Sequence, residues 1–413
     1  MQPINYKRTK FACYASYFTM SSIFCLPPLL FVTFHNTYGI SYTLLGTLIL
    51  INFCTQMGID LIFTFFSKHF NIKTIVRVMP LITSLGLALY AGIPWLFPQF
   101  TYGGLVLGTV IFSVSAGLSE VLLSPTIAAI PSKNPQRDMS LLHSLYAFGV
   151  FSIVAISTLF LKVFGTENWM YLTLFLAALP IIPAVLFMVS PFPEMDTQAD
   201  AGSTRTAKRT FALFLCAGCI FFGSCAENVM SNWISSYMEN ALHIDKTLGD
   251  ILGVALFAIL LGIARISYAK FGKRIYPILL TGMICSAACY LIAGLCPGTI
   301  LPFLACILTG LFASMLWPGT LIFMEEKLPG AGVTAFALMA AGGDLGASFA
   351  PQLMGIVVDR VSAGEYAATR ALATGLTPEQ IGMKTGLLIS AVFPILGTLL
   401  LLYMRRYFAK RKL

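Results

Sequence analysis

Four acidic residues, Asp60, Glu120, Glu227 and Asp344, stand inside stretches that are otherwise strongly apolar. A carboxylate at the centre of a bilayer costs about 2.5 to 3.5 kcal/mol, so an acid retained at such a depth points to work that needs it. A carboxyl whose access to water changes can take a proton on one side and release it on the other, and its oxygens can also bind a polar solute. Glu120, followed by Val121, Leu122 and Leu123, is therefore expected to carry a coupling proton. Asp344, set among Gly342, Gly343, Gly346 and Ala347, is expected to be a second titrating or ion-binding carboxyl. The plainer reading of both is a permanent hydrogen bond to a neighbouring helix.

Asn228 and Asn232 are four residues apart and share a helix face with Glu227 close by, so one side would offer a carboxylate and two amides. That set suits a polyhydroxylated ligand. Trp233 and Trp317 offer flat apolar faces for a sugar ring, with packing or an interfacial belt as the alternative. Asn52 and Gln56, also four apart, are candidates to line a cavity, again with packing as the alternative. Asp60, His143 and Arg265 lie nearer helix ends and are read as gating residues. For Arg265 the favoured reading is a long side chain snorkelling to the cytoplasmic interface, and for His143 a solvated or capping role.

The elements that would position these residues follow from composition. Of 413 residues, 57% are apolar and only 10% charged, with a mean hydropathy of +0.83. A soluble domain carries roughly 25% charged residues, so this chain is expected to have lipid as its solvent. Twelve spans of about 22 residues use most of its length. Apolar runs place them near 11–34, 42–66, 74–97, 102–130, 140–163 and 169–190, then 210–238, 248–268, 275–295, 299–324, 332–358 and 383–404. Pro27, Pro28, Pro318 and Gly319 mark expected breaks. The first run is too long for a signal peptide and is read as a retained helix. No Walker A pattern, HExxH or suitably placed GxSxG occurs in the sequence, so the chain is read as no enzyme, with no cofactor and with an ion gradient as its energy source. The ten cysteines, the Cys216–Cys219 CxxC included, sit in apolar surroundings and read as packing residues, with no metal site.

The net charge of +9 comes from basic residues scattered between apolar runs, which excludes a nucleic-acid face. Of the 26 Lys and Arg, 20 fall on the side of the two termini and 5 on the other, with Arg265 alone inside a span. That bias predicts a multi-pass protein of the cell membrane with both termini cytoplasmic. The halves also repeat. Lys7-Arg8-Thr9 recurs as Lys208-Arg209-Thr210, and Gly117-Leu118 with Pro125 recurs as Gly310-Leu311 with Pro318. The expected organisation is a six-helix bundle over 1–190, a cytoplasmic linker over 191–209 and a second bundle over 210–413.

With these features the chain resembles the major facilitator superfamily over its whole length, and more narrowly the fucose:proton symporter type family. Gly117-Leu118-Ser119-Glu120 with Ser124-Pro125 is similar to that family's Glu-bearing fourth helix, and Leu141-Leu142-His143-Ser144 with Gly149 to its fifth. Gly223, Glu227, Trp233 and Tyr237 match its seventh helix, and Leu328 through Asp359-Arg360 resembles its tenth loop and eleventh helix. The superfamily's charged loop motif is degenerate here, with Lys68, His69 and Asn71 at its Asp, Arg and Gly positions, and residues 11–34 lack that symporter's first-span acid. The resemblance implies an all-α membrane protein, twelve transmembrane helices in two pseudo-symmetric six-helix bundles. It also implies a monomeric secondary transporter, moving a small polar solute such as a sugar by alternating access with a proton, or sodium, as coupling ion. Efflux of amphipathic compounds and a transport-dead receptor are the alternatives.

Overall fold

The computed structural model describes residues 5–66, 69–133, 135–193, 207–271, 274–328 and 332–409, and among them every regular element is helical. In chain order these are α1 (Lys7–Leu29), α2 (Phe31–Tyr38), α3 (Tyr42–Phe66), α4 (Ile72–Leu96), α5 (Thr101–Ala129), α6 (Pro135–Phe164), α7 (Trp169–Ala178), α8 (Ile181–Met188) and α9 (Ala207–Ser236). Then follow α10 (Lys246–Leu248), α11 (Leu256–Phe271), α12 (Ile275–Leu295), α13 (Ile300–Ala313), α14 (Pro318–Lys327), α15 (Gly332–Ser362), α16 (Glu365–Thr374), α17 (Pro378–Ser390) and α18 (Val392–Ala409). Two π-helical stretches, Tyr237–Ala241 and Gly249–Ala255, continue α9 and precede α11.

Nine of the described helices or helix runs are long and apolar enough to cross a bilayer, and α1 with α2 forms a further span bent by 45°. The bend follows Pro27 and Pro28, which remove two backbone donors from the last turns of α1. The remaining predicted spans, 140–163 and 332–358, correspond to α6 and α15. Their 30 and 31 residues are long enough to cross, and α6 carries the apolar stretch Phe148–Phe164. Counted together, these make the twelve helical crossings that the hydropathy pattern predicts. Several hydroxyls within the spans are satisfied along their own helix: Thr126, Thr173, Thr309 and Thr320 each donate to the carbonyl one turn back.

Contacts divide the chain into two compact units, Met1–Tyr38 with Ile51–Gln198, and Gly39–Leu50 with Ala199–Leu413. The segment Gly39–Leu50 departs from the expected 1–190 and 210–413 division, and most of the expected linker, 194–206, lies outside the described residues. The reason for the departure is local. Asp359 of α15 accepts from the backbone N–H of Tyr42 at 3.1 Å and of Thr43 at 2.6 Å, and so adds a cap from another helix to the one that Ser41 supplies by accepting from the N–H of Leu44 at 3.3 Å. Gly355, one turn earlier on α15, lets the Tyr42 carbonyl come so near that a Cβ there would sit 2.3 Å from it.

Inside the first unit, α4 and α5 approach through small residues. A Cβ on Gly86 would stand 2.5 Å from the Phe112 backbone nitrogen, and one on Gly108 would stand 2.6 Å from Tyr90 Cα. Inside the second, Gly346 of α15 lies against the Phe221 carbonyl of α9, where a Cβ would sit at 2.4 Å. Lipid tails are as apolar as leucine, so such backbone proximity rather than burial from water holds the helices together. Gly86→Ala is therefore expected to lower stability by about 1–3 kcal/mol through overpacking against backbone. Gly92→Ala, in the same helix with nothing within 4 Å of the added carbon, is expected to leave it unchanged or slightly raised. Thermal unfolding of the two variants in one detergent measures the difference, and equal melting points would contradict the packing argument.

Candidate functional site

In the first unit, α3 and α5 meet along a polar seam. Gln56 Nε2 donates to Asn52 Oδ1 at 3.0 Å, and Ser113 Oγ donates to the same oxygen at 2.7 Å. Asn52 and Gln56 are 7% and 1% exposed, so this pair locks two helices together and does not present amides to a solute, which corrects the cavity-lining expectation. Gly117 makes the close approach possible, since a Cβ there would stand 2.9 Å from Ile59 Cβ. Asp60 continues the Asn52–Gln56 face one turn further, and Glu120 continues the Ser113 face two turns further. Asp60 is buried, Glu120 is exposed, and the two carboxyls lie within electrostatic range of each other. Two carboxylates in such surroundings repel, and one proton held between them relieves it. His143 falls among residues whose side chains lie outside the described set.

In the second unit the centre is Arg265. The expectation that it snorkels to the cytoplasmic interface is overturned: its Nη2 donates to Glu227 at 3.2 Å and 3.4 Å to the two oxygens, and its Nε donates to the Ser314 carbonyl at 2.9 Å. The second bond follows from the sequence of the tenth span. Residue 318 is proline, so the Ser314 carbonyl has no amide four residues on to accept from, and the helix breaks between α13 and α14. A guanidinium fills the vacancy that proline creates. It thus ties a carboxylate on α9 to the break in the tenth span.

Around this centre the predicted residues take different parts. Asn228 donates to the Ser224 carbonyl at 3.1 Å and Asn232 to the Asn228 carbonyl at 2.8 Å, so their N–H groups are engaged within α9. Trp233 is fully buried and donates to the Pro351 carbonyl at 3.1 Å, with its ring 5.7 Å from that of Tyr42. This corrects its expected role as a flat face for a sugar: the ring packs α9 on α15 and on the start of α3. Trp317 is half-buried and sits over Gly343, where a Cβ would lie 2.2 Å from the ring, so the small residues beside Asp344 make room for an indole. Asp344 itself is 4% exposed on α15.

Two polar clusters escaped the sequence reading. Tyr42 donates to Glu379, and Asn240 donates to both at 2.6 Å and 3.0 Å. Asp250, 1% exposed, accepts from Ser235, while Lys246 Nζ lies 3.5 Å from both Asp250 and Glu239. Asp250 therefore joins the four acids found from the apolar runs. Its nearness to the end of a span hid it, although it lies within the π-helical stretch Gly249–Ala255 and Glu239 within the other, Tyr237–Ala241. Thr377-Pro378-Glu379-Gln380, a complete capping box, was the readable sign of the helix start that presents Glu379.

A profile of the Major Facilitator Superfamily matches residues 11–351. No curated protein sequence matches the chain significantly. Among solved structures, a bacterial homologue of the human lysosomal transporter Spinster, in its inward-facing unoccupied conformation, is similar with a TM-score of 0.74 at 13% identity, covering 98% of each chain. The nucleoside transporter NupG is similar with a TM-score of 0.68 at 16% identity, covering 97% of this chain and 98% of its own. The transporter FucP in its outward conformation gives 0.59 at 14%, covering 95% of this chain and 99% of its own. At such identities the likeness speaks for the fold. The profile, running through ten helical crossings and into α15, makes this multi-pass membrane protein a member of the Major Facilitator Superfamily, whose members are transporters.

Proposed function

We propose that the chain is a secondary active transporter of the cell membrane that couples uptake of a small polar solute, a sugar or a near relative of one, to the movement of protons by alternating access. The observation that carries this reading is the Glu120–Asp60 pair, a carboxylate exposed on the polar seam of α5 beside a buried one on α3. A proton on the pair removes the repulsion, and a change in access to water is all that is needed to load and unload it. Asp344 is a second carboxyl for the same purpose, and sodium in place of the proton is the alternative occupant of these oxygens. The chain acts as a monomer without a cofactor, with both termini in the cytoplasm, as the 20-to-5 distribution of Lys and Arg supports. The break at Pro318 supplies a joint within a span, of the kind that lets part of a helix move during the transport cycle.

In proteoliposomes with an imposed pH gradient, the wild-type protein is expected to accumulate members of a panel of neutral and acidic sugars. Glu120→Gln is expected to lose gradient-driven accumulation by about tenfold or more, within the range usual for coupling between two sites, while keeping solute exchange. Extrusion of a hydrophobic dye with no sugar moved would replace uptake by efflux. Pro318→Ala restores an amide for the Ser314 carbonyl, so it is expected to raise thermal stability by up to about 3 kcal/mol and to slow turnover several-fold. Stopped-flow uptake beside a melting curve tests this, and unchanged turnover with a raised melting point would rule out the break as a moving part.

A further inference from the structure

We propose that Arg265 is the binding residue for a carboxylate carried by the solute, a sugar acid or similar small organic anion, and that Glu227 holds its place when the solute is absent. The inference rests on the transporter reading above and names its substrate class. Its starting point is that one nitrogen of this guanidinium, Nη2, already holds both oxygens of a carboxylate, the one on Glu227. Of the five N–H donors of a guanidinium, the Glu227 and Ser314 bonds engage only Nε and Nη2. The Nε bond to the Ser314 carbonyl fixes the plane of the fork in advance, which is what planar, bidentate recognition of a carboxylate requires.

The Arg265 side chain is 39% exposed and that of Glu227 18%. The exposed apolar face of α11 is drawn by Ile259, Ile263 and Ile266, and at about 100° per residue Arg265 stands at least about 100° round the helix from each. Its exposed surface is therefore set apart from that apolar face.

Charge decides the class of solute. In the empty site, arginine and glutamate neutralise each other, whereas either alone at this depth is costly. When a solute carboxylate takes the fork, the Glu227–Arg265 contact breaks, a proton from water goes onto Glu227, and the arginine pairs with the solute. The net charge of the three groups together is then zero, as it was for the two before. A neutral sugar gives no such exchange, since it would have to compete with a charge-assisted bond while offering none. Asn228 and Asn232 have their N–H groups on helix carbonyls and so offer acceptor oxygens, the complement of sugar hydroxyls.

The test is equilibrium binding to the purified full chain in nanodiscs, with D-glucuronate and D-glucose as probes, by calorimetry at pH 6 and pH 8 in buffers of different ionisation enthalpy. Wild-type protein is expected to bind glucuronate more tightly than glucose, more tightly at pH 6 than at pH 8, and with uptake of a proton. Glu227→Gln frees the fork without needing that proton, so it is expected to bind glucuronate at least about tenfold more tightly at pH 8 and with little pH dependence. Arg265→Gln is expected to lose glucuronate binding at both pH values. Arg265→Lys, which keeps the charge but not the fork, is expected to weaken it and serves should the glutamine variant not fold. Equal binding of glucose and glucuronate, or a Glu227→Gln protein no tighter at pH 8, overturns the proposal. Neutral sugars carried in proteoliposomes without glucuronate binding would sink this inference alone. Glucuronate bound as described with no polar solute carried would sink the transporter reading and leave the site standing.

Discussion

One guanidinium group holds the second unit's chemistry together. Arg265 reaches from α11 to a carboxylate on α9 and to a carbonyl that Pro318 has deprived of its helical donor. Each of the three groups would be expensive alone in hydrocarbon, and each is made tolerable by the other two. The break in the tenth span and the acid in the seventh are therefore not separate features. A change in the charge of Glu227 alters the grip on the very carbonyl at which the tenth span loses its helical continuity.

The same rule, that polar groups at membrane depth find partners within the protein, explains the quieter parts of the structure. Asn52 satisfies Gln56 and Ser113, Trp233 finds the Pro351 carbonyl, and hydroxyls bond back along their own helices. Asp359 lends its carboxylate to the first turn of α3, and in doing so draws Gly39–Leu50 into the second unit while the rest of α3 packs in the first. This cap is one of several contacts, with those of Tyr42 to Glu379, Asn240 and Trp233, that join the segment to the second unit.

What the sequence revealed and what it concealed separate along a physical line. Hydropathy and the placement of Lys and Arg are properties of position along the chain, so the spans, their number and the acids within them could be read directly. The direction of a long side chain is not such a property. Arg265 stands a few residues from the end of its span, from where its length reaches either the interface or Glu227, and only the helix across from it settles which. Trp233 and Asn52 were legible as residues able to bind a solute, but whether a helix turns that face toward a cavity or toward a neighbour depends on contacts far away in sequence. Pro318 was legible as a break. That its missing N–H would call for a donor at Ser314 was implicit in the same residue, and the partner could have been sought among the arginines.

The internal repeat sharpens the contrast between scaffold and chemistry. The offset of 201 that aligns Lys7-Arg8-Thr9 with Lys208-Arg209-Thr210 places Leu26 opposite Glu227, Thr64 opposite Arg265 and Leu261 opposite Asp60. The offset of 193 that aligns Gly117-Leu118 with Gly310-Leu311 places Ala313 opposite Glu120. None of the four charged residues is duplicated. The repeated positions are basic ends, glycines and prolines, which set where helices start, approach and bend. The carboxylates were placed on that frame one unit at a time and have opposite neighbours, Glu120 an acid and Glu227 the guanidinium of Arg265. A pair of like charges responds to protons, whereas a pair of opposite charges responds to a competing ion. Under the proposed coupling, two units with the same helices would thereby respond to two different things, a proton and a solute.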